Sequence, residues 1–281
     1  MKKFLALMLA TIMALSLVAC GGSETADETD TQDEGGIVTV TPGKLTVATS
    51  PDFAPYEFYA IDASGTPQLA GFDMALAQYI ADYLGLELEV VPMDFDGTIM
   101  ELANKAVDLG MAGYSPDPER EDSMDFSEIY YAGGQSFVCV QGNKDQFATL
   151  EDTNKAEYQI GAQIGSIQVK LANENSPEAD IVELTKVTDI IAELLAGTLD
   201  GAYIETAVAE SYAKNYPELC VVLPVPYDAE GSVVGVSKGN AELLAGVNEA
   251  IAAALSDGSM DQFVAEANEA ASGEIIEGLV G

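Results

Sequence analysis

The 281 residues contain no histidine and no tryptophan, and only 11 are Lys or Arg against 47 Asp or Glu. Without histidine there is no Ser/His/Asp or Cys/His nucleophile arrangement and no histidine metal site. A G-x-x-x-x-G-K-[ST] phosphate loop is also missing. The chain is short of catalytic equipment, and neither a metal nor a cofactor is expected. A formal charge of −36 repels nucleic acid and anionic membrane surfaces. Cysteine is scarce too: Cys20, Cys139 and Cys220 are the three present. Cys139 and Cys220 lie in apolar, strand-like runs (FVCVQ and LCVVLPV). They read as buried free thiols rather than a disulfide framework.

What is present begins with a leader. Lys2 and Lys3 form a basic start, Phe4 to Val18 is apolar, and Leu17-Val18-Ala19-Cys20 reads as a lipobox. The apolar run is too short for a comfortable membrane span. Residues 1–19 are therefore expected to be a lipoprotein signal peptide, with Cys20 the lipidated residue and the body held at the extracytoplasmic face of the cell membrane. Removing them takes away two lysines and no acid, so the mature charge is 9 − 47 = −38. Residues 20–43 read as a disordered acidic linker, with six acids and no base between Ser23 and Glu34.

Beyond the linker, strand and helix patterns alternate. Leu45 to Thr49 reads as a strand. Helical spacing follows over 72–84, where Phe72, Ala75, Leu76, Tyr79, Ile80, Tyr83 and Leu84 share one side and Gly85 is a natural stop. A strand at 86–90, a helix carrying Ile99, Leu102, Ala103 and Ala106, and a strand at 107–111 come next. The pattern then repeats. Strands are expected at 137–140, 158–162, 199–204, 220–225 and 233–236. Helices are expected at 167–173, 189–196, 206–215 and 241–255, with a last one from Ser259. Such alternation predicts mostly parallel sheets covered by helices.

The loop after the strand at 107–111 carries Ser115, two prolines and Arg120. Arginine is rare in this chain, and its planar fork suits a carboxylate. A surface pairing of Arg120 with Glu119, Glu121 or Asp122 is the plainer reading. The surrounding text decides between them. Ala112-Gly-Tyr-Ser-Pro-Asp-Pro-Glu-Arg120 and Asp125-Phe-Ser-Glu-Ile-Tyr-Tyr-Ala-Gly-Gly-Gln135 resemble the paired motifs of the polar amino-acid solute-binding proteins of bacterial ABC importers, the family-3 extracellular type. The resemblance runs from about Lys44 to Ser272.

That resemblance implies a periplasmic-binding-protein-like α/β fold of type II, with two α/β lobes joined by a two-crossing hinge. Lobe 1 would hold 44–131 plus 231–281, and lobe 2 would hold 132–230. It implies a monomer that takes a free amino acid in the interlobe cleft and passes it to ABC permease subunits without bond chemistry. A cyclohexadienyl or arogenate dehydratase on the same fold is the alternative. For the substrate carboxylate the resemblance implies Arg120 and Ser115, joined by Gly165, Ser166 and the Ile167 amide in IGAQIGSIQVK. For the ammonium it implies Glu205, in LDGAYIETAVAESY, and the Gly113 carbonyl. A helix-capping role for Glu205 is the competing reading. Phe53 and Phe95 would flank the substrate side chain. Ser50 stands where relatives that take basic amino acids place an acid, so a neutral side chain is expected.

Overall fold

The structure, a computed structural model, describes residues 36–62, 64–228 and 231–272. The leader, Cys20 and most of the expected linker lie outside the described residues. The chain begins with β1 (Lys44–Thr49), β2 (Asp52–Phe53), β3 (Glu57–Ile61), β4 (Pro67–Ala70), α1 (Phe72–Leu84), β5 (Glu87–Pro92), α2 (Phe95–Ala103), β6 (Leu109–Gly110) and β7 (Met124–Phe126). It continues through β8 (Gln135–Val140), β9 (Gln159–Gln163), α3 (Ile167–Asn175), β10 (Asp180–Leu184), α4 (Val187–Ala196), β11 (Gly201–Glu205), α5 (Thr206–Asn215) and β12 (Leu219–Pro224). It ends with β13 (Gly235–Ser237), α6 (Ala241–Asp257) and α7 (Ser259–Ala271).

Two five-stranded sheets result, in the orders β5-β1-β6-β13-β7 and β10-β9-β11-β8-β12. Each contains one strand that runs against its neighbours: β13 in the first and β8 in the second. Both of these strands follow directly on a passage from one sheet to the other. The chain crosses from β7 to β8 and returns from β12 to β13, which makes two α/β lobes joined by two strands. The crossings lie side by side. Tyr131 and Ser232 form an antiparallel bridge, with the Ser232 amide donating to the Tyr131 carbonyl at 2.8 Å and the Tyr130 amide to the Ser232 carbonyl at 3.0 Å.

Local chemistry explains the element ends. Gly85 closes α1 at φ 69°, donating to the carbonyls of Ala81 and Asp82. α1 buries Phe72, Leu76, Ala77 and Ile80 in the first core, whereas Tyr83, expected on that face, is exposed. The strand expected at 107–111 pairs only at Leu109 and Gly110. Asp108 turns its carboxylate onto the amides of Thr46 and Val40, both at 2.8 Å. Part of the expected linker is therefore docked on the first lobe. Asn240 also donates to the Val38 carbonyl, and Ile37 packs against the core.

The short sheet β2-β3-β4 was not visible in the sequence. Its first strand has two residues and its third starts at Pro67, so neither shows a period of two. The second lobe packs Phe137, Phe147, Tyr158 and Tyr203 on one face of its sheet. Cys139 and Cys220 are free and buried on that same face, as the sequence suggested.

Candidate functional site

Arg120 ends a single 3-10 turn, Pro118–Arg120, in which the Glu119 amide is capped by the Asp117 carboxylate at 3.0 Å. The guanidinium Nε lies 3.5 Å from Asp117 Oδ2, a stretched ion pair, and Nη2 donates to the Gly165 carbonyl of the other lobe at 2.6 Å. None of the surface partners considered for Arg120 holds it; Glu119 instead pairs with Lys170 at 2.9 Å. The Arg120 side chain is only 12% exposed and sits 6.0 Å over the Phe95 ring. Burial lowers its pKa, and the Asp117 charge opposes this.

The second lobe meets it with the loop before α3. Gly165 takes φ 75° and lies against Asp96 of α2. The Ser166 hydroxyl donates back to the Gln163 carbonyl at 2.6 Å. Ile167 opens α3, so its amide belongs to the first turn and has no acceptor inside the helix. Arg120, Asp117, Gly165, Ser166, Ile167 and Lys170 line one groove of about 480 Å³.

Phe53 and Gly113 meet behind this point. Gly113 has φ 60°, and a Cβ there would come within 2.6 Å of the Phe53 ring, so only glycine fits. Its amide donates to Asp73 at 3.0 Å, while Asp73 also accepts from the Tyr130 hydroxyl at 2.6 Å. The amide is thus committed to the scaffold. Phe95 packs edge-on against Tyr114 at 5.6 Å. Ser115 is buried, and its hydroxyl accepts from Gln135 at the long distance of 3.5 Å. Gln135 in turn accepts from Gln168 of α3 at 2.7 Å.

Glu205 is placed differently. It is 2% exposed and sits at the N-terminus of α5. One carboxylate oxygen accepts from the Val208 amide at 2.9 Å, and the other accepts from the Tyr56 hydroxyl at 3.1 Å and the Gly134 amide at 3.3 Å. The capping contact weighed in the sequence is therefore present. Burial raises its pKa to about 7 against the pull of these donors. Glu205 lines a second groove of about 240 Å³ with Tyr131, Gly133, Gly134 and Thr206, and none of the carboxylate-end residues borders that groove.

Ser50 is buried and donates to Asp52 Oδ1 at 2.9 Å. Asp52 is the residue that the sequence undervalued. Its other oxygen reaches across to the second lobe, where it accepts from the Val187 amide at 2.6 Å and from Gln163 at 3.4 Å. An acid of the first lobe thus caps α4 of the second, and burial lifts its pKa to about 6. Gln135 and Gln168 were also passed over. A buried, uncharged amide leaves no mark in a sequence until its partner is known.

A family model supplies the context for this geometry. Bacterial extracellular solute-binding proteins, family 3, match residues 45–267. This chain belongs to that family. It is 32% identical over 267 residues to the arginine-binding extracellular protein ArtP of Bacillus subtilis, covering 94% of this chain and 96% of that one. Among solved structures it is similar to the amino acid ABC transporter substrate-binding protein AbpA of Streptococcus pneumoniae bound to L-arginine. The TM-score is 0.78 at 31% identity, over 83% of this chain and 97% of that one. A cyclohexadienyl dehydratase of Pseudomonas aeruginosa is 29% identical over 187 residues, 66% of this chain and 68% of its own. ArtP, AbpA and a probable histidine-binding protein of Neisseria gonorrhoeae, 30% identical over 95% of this chain, are amino-acid-binding proteins, and the chain stands with these rather than with the enzyme.

Proposed function

We propose that the chain captures a free amino acid between its lobes and delivers it to an ABC importer, anchored at the extracytoplasmic face through a lipid on Cys20. Lobe 1 is taken as 44–131 plus 231–281 and lobe 2 as 132–230, acting as a monomer. The observation that carries this reading is Arg120. It is a largely buried cation with one stretched ion pair, facing a backbone carbonyl and a fresh helix N-terminus of the other lobe. A ligand carboxylate would take the place of the Gly165 carbonyl and gain two guanidinium bonds. Ser115 and the first amides of α3 would complete its shell. Glu205 and the Gly113 carbonyl would receive the ammonium, and Phe53 and Phe95 the side chain. Binding energy would then hold the lobes closed for the permease to recognise.

The side chain follows from Ser50 and Asp52. Ser50 brings no charge, and Asp52 is engaged with the Ser50 hydroxyl and the Val187 amide, so a cationic tip would have to compete for it against a desolvation cost of several kcal/mol. A neutral amino acid is the reading these residues support. Arginine, which ArtP is named for binding and with which AbpA was crystallised, is the rival. Calorimetry with the common amino acids, on protein unfolded and refolded to strip bound ligand, decides. Tighter binding of arginine or lysine than of any neutral amino acid would overturn the choice of side chain. Binding of no amino acid at all would overturn the function. A dehydratase has Glu205 in its favour, since a carboxyl with a pKa of about 7 can donate a proton. Incubation with prephenate or arogenate is expected to give no aromatic product.

A further inference from the structure

Cys139 and Cys220 are the two cysteines among the described residues, and neither has a place in the ligand site. They come from strands far apart in sequence, yet they occupy directly opposed positions. β8 and β12 are antiparallel, and the register pairs Leu219 with Val140, Cys220 with Cys139 and Val221 with Val138. Opposed residues of an antiparallel pair send their side chains to the same face, with Cα atoms about 4.5–5.5 Å apart. That spacing lies within the range a disulfide bridges, about 4.4–6.8 Å. The sulfurs face each other at 3.8 Å, and the residues are buried beside Phe137, Phe147 and Tyr203. Their other polar contacts are weak: the Cys139 thiol to the Val140 carbonyl at 3.3 Å, and the Cys220 thiol to the Cys139 carbonyl at 3.5 Å. No group of metal-binding side chains occurs among the described residues, so the pair is not explained by a metal.

We propose that Cys139 and Cys220 form a disulfide in the exported protein. The reaction is exchange with a low-molecular-weight disulfide or the disulfide of a thiol oxidoreductase. Two protein thiols and R–S–S–R give the Cys139–Cys220 bond and two R–SH, the thiol protons passing to the released thiolates. Burial pushes the Cys139 thiol up to about 12 and closes it to solvent, so the thiolate that must attack is scarce in the folded protein. The bond is therefore made while the second lobe folds outside the cytoplasm, before the strands close over it. Once made, it joins the strand that enters the second lobe to the strand that leaves it, with β9, β10, β11 and their helices between. The free thiols that the sequence suggests are then the reduced state of a convertible pair.

The test uses the full chain. Protein is unfolded in guanidinium, refolded with a glutathione/glutathione disulfide mixture, and compared with protein refolded in reductant. The oxidised sample is expected to be about 2 Da lighter. It should yield, without reduction, a linked peptide pair containing Cys139 and Cys220. Its Tm should lie about 5 °C or more above that of the reduced sample. The Cys139→Ser and Cys220→Ser variants should show one Tm in both conditions, and the Cys139→Ser/Cys220→Ser double variant checks that the lobe folds without either thiol. Alkylation of both cysteines in unfolded but unreduced protein, or linkage of either to Cys20 or to another chain, would overturn the proposal.

Discussion

The two ends of the proposed site are built on opposite plans. At the Arg120 end, the charged group is poorly satisfied. Its ion pair with Asp117 is stretched to 3.5 Å, and its short bond goes to a carbonyl of the other lobe. At the Glu205 end, three donors already fill the carboxylate: Val208, Tyr56 and Gly134. A ligand carboxylate would improve what Arg120 has. A ligand ammonium must compete with bonds that Glu205 already makes. The first end therefore offers affinity, while the second offers selectivity at a cost in rearrangement. The groove lined by Glu205 and the groove lined by Arg120 share no residue, which agrees with this.

The largest expected effect lies at the first end. Arg120→Ala removes the main partner of a desolvated anion, a loss of about 2–5 kcal/mol, or about 30-fold to several thousand-fold in affinity. Circular dichroism should show an unchanged fold. Calorimetry giving near wild-type affinity would reduce Arg120 to a strut between the lobes.

Acid should separate the two ends. Glu205 has a pKa raised to about 7, so it is neutral at pH 5 and charged at pH 8. If it reads the ammonium, amino-acid affinity should fall by up to about 100-fold between pH 8 and pH 5, tenfold for each pH unit below the pKa. Des-amino analogues, which use only the Arg120 end, should change little. Glu205→Gln at pH 8 should match the wild type at pH 5 and show no further pH dependence. Equal losses for amino acids and des-amino analogues would leave Glu205 as a helix cap alone.

The same carboxyls set the pH dependence of stability. Asp52 and Asp73 have pKa values of about 6 and Glu205 of about 7, all raised by burial above their ordinary values. The folded state then holds protons that the unfolded state has released, so stability falls as pH rises from about 4 to about 7 and levels off above. Glu205 alone contributes roughly 3 kcal/mol to that fall. Thermal melts in 0.15 M salt should give a lower Tm at pH 8 than at pH 5. A Tm that climbs over this range would show that these carboxyls are not held neutral.

The smallest effect belongs to Asp52. Asp52→Ala removes a cap worth about 1 kcal/mol from α4 and a tie between the lobes. Affinity should drop by about fivefold for every amino acid, and the Val187 amide should exchange faster with solvent. A loss confined to arginine and lysine would mean that Asp52 reads the ligand side chain instead.

Much of this architecture was legible in the sequence. The helix at 206–215 matches α5 residue for residue, and Gly85 ends α1 as its φ of 69° requires. These features depend on neighbours within a turn or two. The loop of Arg120 and the loop of Gly165 could be named separately because each carries its own motif, and the structure brings them to 2.6 Å. Features that depend on the other lobe were not legible. Asp52 looks like one more surface acid between Pro51 and Phe53 until α4 arrives with an uncapped amide. Ser115, Gln135 and Gln168 form a buried chain only when both lobes are in place. For Glu205, capping and ligand contact ask for the same residue type at the same place, so the sequence could not separate them.

The bridge between Tyr131 and Ser232 has a consequence for the covalent plan of the molecule. Where the chain leaves the first lobe and where it comes back, the backbones are already hydrogen-bonded neighbours. Genetically, the second lobe is an insert with adjacent ends. A tight turn joining Tyr131 to Ser232 would excise it while leaving every strand of the β5-β1-β6-β13-β7 sheet in the gene. The excised piece, with its own sheet and its own aromatic core, could be moved as a cassette between relatives. Half of a specificity could thus be exchanged without touching the half that carries Arg120.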